Sequence, residues 1–175
     1  NSHETAVKLA QVIVDEASKK DGGMLVLFTS GSLMKKTRAL SFEKLVGKGL
    51  NPMMQGEMTN TVMANTMRAS QNSVIFGLDS FWEGFDVKGD SLKCLIMTRL
   101  PFEVPTDPIV MARTEIIERR GGDQFTEYSL TRAILKFKQG VGRLIRSGTD
   151  TGRIIICDER IETKAYGRLF KNSLF

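Results

Sequence analysis

Four short runs of almost uninterrupted apolar residues constrain the fold of this chain more than any other feature. A run of strand length without polar alternation is typical of a β-strand that is covered on both faces, as in parallel sheets. The intervening segments have apolar residues at helical spacing, so the sequence predicts an α/β sandwich around a mostly parallel sheet. The four runs are MLVLFTS (24–30), NSVIFGL (72–78), SLKCLIMTRL (91–100) and RIIICDE (153–159).

Glycine and proline divide the rest of the chain into further elements. An opening helix is predicted over residues 2–20, where KDGG ends the helical spacing. Further helices are predicted at 30–49 and 58–71, with a short strand at 50–56 between them. The segment 101–122 contains three of the four prolines and is predicted to be an extended loop followed by a short helix.

The composition indicates one folded domain over residues 1–175, with 41% hydrophobic and 26% charged residues. Because the first residue is Asn rather than Met, we expect the chain to be a piece of a longer protein. The net charge of +5 suits a polyanionic partner without identifying one. Cys94 and Cys157 lie in apolar runs and are predicted to be buried free thiols, which argues against a zinc or iron–sulfur site. No apolar run reaches membrane-spanning length, so we expect a cytoplasmic location and no membrane partner.

Polar residues follow directly after the apolar runs. Functional residues in parallel α/β sheets gather beyond the carboxyl ends of the strands, so these polar segments are predicted to share one edge of the sheet. They are TSGS (29–32), DSFWEGFD (79–86), RLPFEVP (99–105) and DER (158–160).

A long helix is predicted over residues 127–147, with its apolar residues on one stripe. At about 100° per residue, Gln139, Arg143 and Arg146 share the face opposite that stripe. Two interpretations of this face are open. It is either a solvated basic face, which is usual for two arginines at this spacing, or a phosphate-binding face.

Two glycines flank the arginine-bearing face and favour the phosphate-binding interpretation. Gly140 and Gly142 each weaken a helix by roughly 1 kcal/mol relative to alanine. A solvated face has no use for glycine at these positions, whereas a face that a phosphate chain must approach closely needs residues without a side chain. Arginine suits such a face because its planar guanidinium binds phosphate oxygens through two parallel hydrogen bonds and stays charged.

The ordered motifs of the chain resemble those of superfamily 2 helicases, in the form used by the DinG and XPD group of DNA helicases. The tryptophan-containing FWEGFD is similar to the bacterial DinG branch. The resemblance covers nearly the whole chain, and several motifs in the right order are far more specific than one glycine–arginine helix. The motifs are VLFTS (26–30), SFWEGFDVKG (80–89) followed by RLPFEVPTDP (99–108), QGVGRLIR (139–146) and DERIETKAYGRLFKNSL (158–174).

The resemblance implies a RecA-like three-layer α/β/α sandwich with a mostly parallel central sheet, a P-loop NTPase-like domain that lacks its own P-loop. Family members hydrolyse ATP in a cleft between two RecA-like domains, and this chain resembles the second of them. Arg143 matches the arginine finger that reaches the γ-phosphate, and Arg146 matches its support. Gln139 matches a residue that orders the same network.

The resemblance also implies a nucleotide-facing edge. Glu83, Gly84 and Asp86 match the EGxD positions, which couple the nucleotide to the nucleic acid in this family. Gly142, inside the arginine motif, allows the helix to close against the nucleotide. For Asp86, an ordinary turn residue remains the alternative.

Further positions match residues that contact single-stranded DNA in the family. The hydroxyl groups at 29–32 suit either a helix cap or a DNA phosphate, and we expect one or two of them to do both. Trp82 is either a core residue or a stacking surface, and Phe102 either lies beside the DNA groove or packs in the core. The complete predicted DNA-binding set is Thr29, Ser30, Ser32, Ser80, Trp82 and Phe102.

The sequence lacks a G-x-x-x-x-G-K-[ST] phosphate loop, a DEAH-like box and a four-cysteine cluster. In the family these parts belong to the first RecA-like domain, which holds Mg²⁺ with ATP and is the expected partner in the same polypeptide. We therefore expect this chain alone to require no cofactor or metal and to show negligible ATP hydrolysis. The open alternatives are a non-enzymatic nucleic-acid-binding module, an ATP-binding regulatory part of a DinG-type exonuclease, and RNA in place of DNA.

Overall fold

The computed structural model describes residues 2–78, 81, 85, 87, 91–145 and 148–174. The helices in these ranges are α1 (Ser2–Ala17), α2 (Gly31–Gly47), α3 (Asn60–Ala69), α4 (Pro108–Arg119), α5 (Thr131–Val141), α6 (Arg160–Thr163) and α7 (Gly167–Asn172), and a π-helix covers Phe125–Leu130. The strands are β1 (Gly23–Phe28), β2 (Asn51–Met54), β3 (Ser73–Leu78), β4 (Leu92–Met97) and β5 (Arg153–Ile156).

The strands form one sheet in the order β2-β3-β1-β4-β5. Their pairings are parallel: Leu25 of β1 aligns with Ile75 of β3 and Leu95 of β4, and Leu95 aligns with Ile154 of β5. Every residue of β1 is buried, as the uninterrupted apolar run predicts for a central strand. The predicted α/β fold with a mostly parallel sheet is confirmed.

Both faces of the central strand are covered. Met24, Val26 and Phe28 belong to a buried cluster that includes residues of α1 and α2. Leu25 and Leu27 alternate with them, so they point to the opposite face, and they too are buried. Burial on both faces is what a three-layer α/β/α sandwich requires.

The segment 101–122 contains an extended loop and a short helix, as predicted. Asp107 caps the amino terminus of α4, since its carboxylate accepts hydrogen bonds from the N–H groups of Ile109 (2.8 Å) and Val110 (3.3 Å). Pro108 occupies the first turn, where a missing N–H costs nothing.

The predicted helix over residues 127–147 is wrong in its extent. The chain is π-helical before α5, and α5 ends at Val141. Beyond that residue the N–H of Arg143 donates to the carbonyl of Gly140 (3.1 Å), which closes a three-residue turn in place of the four-residue spacing of an α-helix. The physical reason is the weak helix propensity of two glycines so close together. The prediction treated them as a cost inside a continuous helix, whereas the α-helix ends between them.

The chain divides into two compact units, each described by itself. Unit 1 is Asn1–Arg99 with Gly140–Asp158 and contains the whole sheet; unit 2 is Leu100–Gln139 with Glu159–Phe175. The expectation of a single domain over residues 1–175 therefore stays a prediction. Within the described ranges, no helix combines the length and the apolar character needed to cross a bilayer.

Candidate functional site

The described residues include about half of the predicted site positions. Those that the structure describes are Thr29, Ser30, Ser32, Phe102, Gln139, Gly142 and Arg143. Ser80, Trp82, Glu83, Gly84, Asp86 and Arg146 lie outside the described residues.

The connection from β1 to α2 presents hydroxyl groups at the carboxyl edge of the sheet. Ser30 has extended backbone angles (φ −136°, ψ 121°) and caps α2, because its Oγ accepts a hydrogen bond from the N–H of Leu33 at 3.4 Å. The Oγ atoms of Ser30 and Ser32 lie 3.1 Å apart, and Ser32 is exposed whereas Thr29 is half-buried. Ser30 is thus a helix cap, and Ser32 is the most exposed of the three residues.

A pocket of about 230 Å³ in unit 1 opens beside this cap. Ser30, Leu33 and Arg99 line it together with Ser2 and Thr5 from the start of α1. Arg99 is exposed and follows β4, so the carboxyl ends of β1 and β4 both contribute to the pocket. The sequence places the segment 99–105 at this edge, but Arg99 was not among the predicted site residues; its signal was a basic residue directly after a buried strand.

The end of α5 brings the predicted catalytic residues close together along the chain. Gln139 is exposed near the last turn of α5, Gly140 is buried, and Gly142 and Arg143 are half-buried in the turn that follows. Because α5 ends at Val141, Arg143 lies in the turn that follows the helix, and its position on one face with Gln139 stays a prediction. That turn belongs to unit 1, the unit that contains the parallel sheet.

Phe102 lies in a cluster of aromatic rings within unit 2. Its ring stacks on Phe125 at a centroid distance of 6.0 Å and meets Tyr166 and Phe170 edge-on at 5.6 and 5.8 Å. The guanidinium carbon of Arg160 lies 5.2 Å from its centroid. With four partners, Phe102 is held mainly by packing, and the more exposed ring of the cluster is Phe125, which was not among the predicted site residues.

A polar network fixes the loop that contains Phe102. The carboxylate of Glu103 accepts hydrogen bonds from the hydroxyl of Tyr128 (2.9 Å) and from Nε and Nη2 of Arg132 (3.2 and 3.0 Å). Tyr128 is in the π-helix and is buried, whereas Arg132 lies in the first turn of α5. The loop after β4 is therefore tied by side chains to the helical segment that leads towards Gln139.

The donor chemistry of the described residues suits a phosphate better than a metal ion. A guanidinium and an amide, as in Arg143 and Gln139, donate hydrogen bonds that phosphate oxygens accept. In the ranges that the structure describes, no three His, Cys, Asp or Glu side chains are grouped so that they could hold a metal ion. Cys94 and Cys157 are free thiols, and burial raises the pKa of Cys94 to about 11.

Comparison with known proteins adds family information to this geometry. The family profile of the helicase C-terminal domain matches residues 13–175. The 3'-5' exonuclease DinG of Bacillus subtilis is 38% identical over 160 residues, which is 90% of this chain and 17% of that protein. The ATP-dependent DNA helicase YoaA of Haemophilus influenzae is 37% identical over 174 residues, which is 99% of this chain and 27% of that protein.

Solved structures share the fold. An XPD helicase structure superposes with a TM-score of 0.77 at 16% identity and covers 99% of this chain, which corresponds to 31% of that structure's chain. At this identity the likeness shows the fold alone, and that fold is the RecA-like α/β arrangement that the motifs imply. The chain spans 17% and 27% of the length of the two relatives named above.

Proposed function

The chain belongs to the helicase C-terminal domain family, and we propose that within a longer protein it acts as the second motor domain of an ATP-dependent DNA helicase or translocase of the DinG type. The ordered motifs predict this family, and the match over residues 13–175 confirms it. The observation that carries the proposal is the position of Arg143, half-buried in the turn directly after α5. That is the position of the arginine finger in the matching motif.

Arg143 is proposed to act in trans on a nucleotide held by the first RecA-like domain. ATP bound between the two domains supplies the γ-phosphate whose transfer to water releases free energy. The guanidinium of Arg143 offers fixed donors and a permanent charge to the phosphate oxygens, where charge develops during transfer. In related chemistry such a finger contributes roughly 10³ to 10⁵ in rate. Arg146 supports it, and the exposed amide of Gln139 orders the same network.

The remaining nucleotide contacts are proposed from the motifs. Glu83, Gly84 and Asp86 form the nucleotide-facing edge, and Gly142 gives the arginine turn close access to the phosphate chain. Mg²⁺ is assigned to the first domain, because this sequence has neither a phosphate loop nor a DEAH-like box. The isolated chain is therefore expected to hydrolyse no measurable ATP.

Single-stranded DNA is proposed to run along the carboxyl edge of the sheet. Ser32 supplies an exposed hydroxyl, and Ser30 caps α2, whose first turn has backbone N–H groups without a partner inside the helix and so suits a phosphate. Thr29 completes this turn, and Ser80 and Trp82 are assigned to the same groove by the motif that contains them. A bacterial chromosome as the track would place the protein in the cytoplasm.

The test is ATP hydrolysis by the full-length protein that contains this chain, with and without single-stranded DNA. Arg143→Ala is expected to abolish the DNA-stimulated rate, by a factor of roughly 10³ or more, while ATP still binds. Arg113→Ala is the matched control, because it removes an exposed arginine of α4 outside every predicted motif position. A rate that stays at the wild-type level in Arg143→Ala refutes the finger role.

A second candidate function follows from the Bacillus subtilis relative, which is named as a 3'-5' exonuclease. In that case the ATP site regulates a nuclease and does not drive unwinding. A 3'-labelled single strand distinguishes the two functions: the regulatory candidate predicts removal of terminal nucleotides at a rate that depends on ATP. The motor candidate predicts ATP hydrolysis with the strand left intact.

A further inference from the structure

An exposed aromatic ring lies at the surface of unit 2, supported from behind by other rings. Phe125 is 39% exposed and opens the π-helix. It stacks on Phe102 at 6.0 Å and lies 5.4 Å from the half-buried ring of Tyr166, tilted by 53°. These neighbours restrict the ring of Phe125 while leaving part of its surface open, so little side-chain entropy is lost when another flat ring covers it.

The chain segment that contains α6 and α7 carries the excess positive charge of unit 2. Residues 100–139 contain six basic and six acidic residues, whereas residues 159–175 contain four basic and two acidic ones, so the excess charge of unit 2 comes entirely from the second segment. A cavity of about 360 Å³ on this segment is lined by Lys164, Arg168 and Lys171.

Two of these cations are available to an anion. Lys171 forms an ion pair with Glu162 at 2.6 Å, and Glu162 is the acidic residue in the cavity lining. The exposed side chains of Lys164 and Arg168 form no ion pair with any residue that the structure describes. Tyr166 lies between them in the chain, so the aromatic cluster and the cationic cavity share one short connection.

We propose that this α6–α7 surface, defined as Phe125, Tyr166, Lys164, Arg168 and Lys171, is a second binding surface for single-stranded DNA, separate from the turn after β1. The chemistry that recognises a single strand is a positively charged groove that follows the phosphates, with aromatic rings on which unpaired bases stack. Phe125 and Tyr166 provide the rings, and Lys164 and Arg168 provide the charge. The choice of DNA as the ligand rests on the proposed function.

A single strand fits these features better than a duplex or an acidic peptide. In a duplex the base faces are already stacked on one another, so an exposed ring gains no partner. An acidic peptide would use the cations and leave the aromatic surface unused. Only an unpaired strand uses both features at once.

The experiment measures binding of a fluorescein-labelled oligothymidylate of about 20 nucleotides to the full-length protein by anisotropy, without nucleotide. Phe125→Leu keeps an apolar side chain and removes the flat π surface; it is expected to weaken binding roughly 5- to 150-fold, the range for removal of one stacked base. Phe137→Leu is the matched control, since Phe137 is fully buried and touches the same cluster through Phe170. It should lower the melting temperature and leave the affinity of the folded protein unchanged.

The charge is tested through salt dependence. The double variant Lys164→Gln with Arg168→Gln is expected to reduce the slope of log affinity against log salt by about 0.7 for each phosphate that the protein no longer neutralises. Lys44→Gln with Lys48→Gln removes the same charge from exposed positions at the end of α2 and should leave the slope unchanged. An oligouridylate should bind more weakly than the oligothymidylate, and tighter binding of the RNA overturns the assignment of DNA to this surface.

Several outcomes overturn the proposal. If Phe125→Leu binds the oligothymidylate with wild-type affinity, the proposal is overturned even where the charge variant binds weakly, because no base then stacks on Phe125. A salt slope that stays at the wild-type value in Lys164→Gln with Arg168→Gln overturns it as well, because these cations then neutralise no phosphate. The proposed motor function fails separately: if Arg143→Ala leaves ATP hydrolysis intact while Phe125→Leu weakens DNA binding, the second surface stands and the finger does not.

Discussion

Gly167 at the start of α7 is a position where one added methyl group should destabilise unit 2. A Cβ built there lies 2.6 Å from the carbonyl carbon and 2.9 Å from the Cα of Ile161, and closer still to the carbonyl oxygen of that residue. Ordinary van der Waals contacts begin near 3.4 Å. Because the obstructing atoms are backbone and not a rotatable side chain, α6 or α7 must shift, and we expect Gly167→Ala to cost about 3 kcal/mol, at the upper end of the overpacking range.

The cost is measured as the free energy of unfolding from urea denaturation followed by circular dichroism at 222 nm. A decrease of about 3 kcal/mol in a unit of this size corresponds to a melting temperature lower by roughly 12 °C or more. The matched control is Gly47→Ala at the end of α2, where an added Cβ meets nothing within 4 Å; it should stabilise by about 0.5–1 kcal/mol. If Gly167→Ala changes the unfolding free energy by less than about 1 kcal/mol, the close packing of α6 against α7 is refuted.

Two further substitutions test polar contacts. The guanidinium of Arg153 donates to Glu16 and Asp21 and holds the pKa of Asp21 below its ordinary value of 3.8, so Arg153→Gln should cost about 1 kcal/mol near pH 7, a small value because the pair is partly exposed. A carboxyl group whose pKa is lowered in the folded state stabilises the fold above its unfolded pKa, and this stability is lost as the pH falls through the folded pKa. The urea midpoints of wild type and Arg153→Gln should therefore converge below about pH 3. A difference that stays constant with pH would contradict this. Tyr128→Phe removes the hydrogen bond to Glu103 and should cost roughly 1–2 kcal/mol in urea denaturation; a neutral effect would show that Arg132 alone holds the Glu103 loop.

The layered fold could be predicted from the sequence because a local run of apolar residues marks each central strand. The run that contains Leu25 and Leu27 has no polar residue to face solvent, and β1 is indeed buried along its whole length. The Ser30 cap was predictable for the same reason, since a hydroxyl directly before a helix satisfies an N–H group three residues later.

The aromatic cluster could not be predicted in this way, because its members are distant in sequence. Phe102, Phe125 and Tyr166 are separated by 23 and 41 positions and meet only after unit 2 folds. No local periodicity relates them. Phe102 is therefore predictable from its motif and Phe125 is not, although Phe125 is the more exposed ring.

The observed end of α5 changes the physical argument for the arginine finger. As residues inside a helix, Gly140 and Gly142 would each cost stability and would need a functional reason. With α5 ending at Val141, Gly142 follows the helix, so the cost of a glycine inside a helix no longer applies to it. Gly140 remains inside α5, where it is buried. The finger proposal then depends on the family motif and on the half-buried position of Arg143 in the turn after α5, and no longer on two glycines inside a helix.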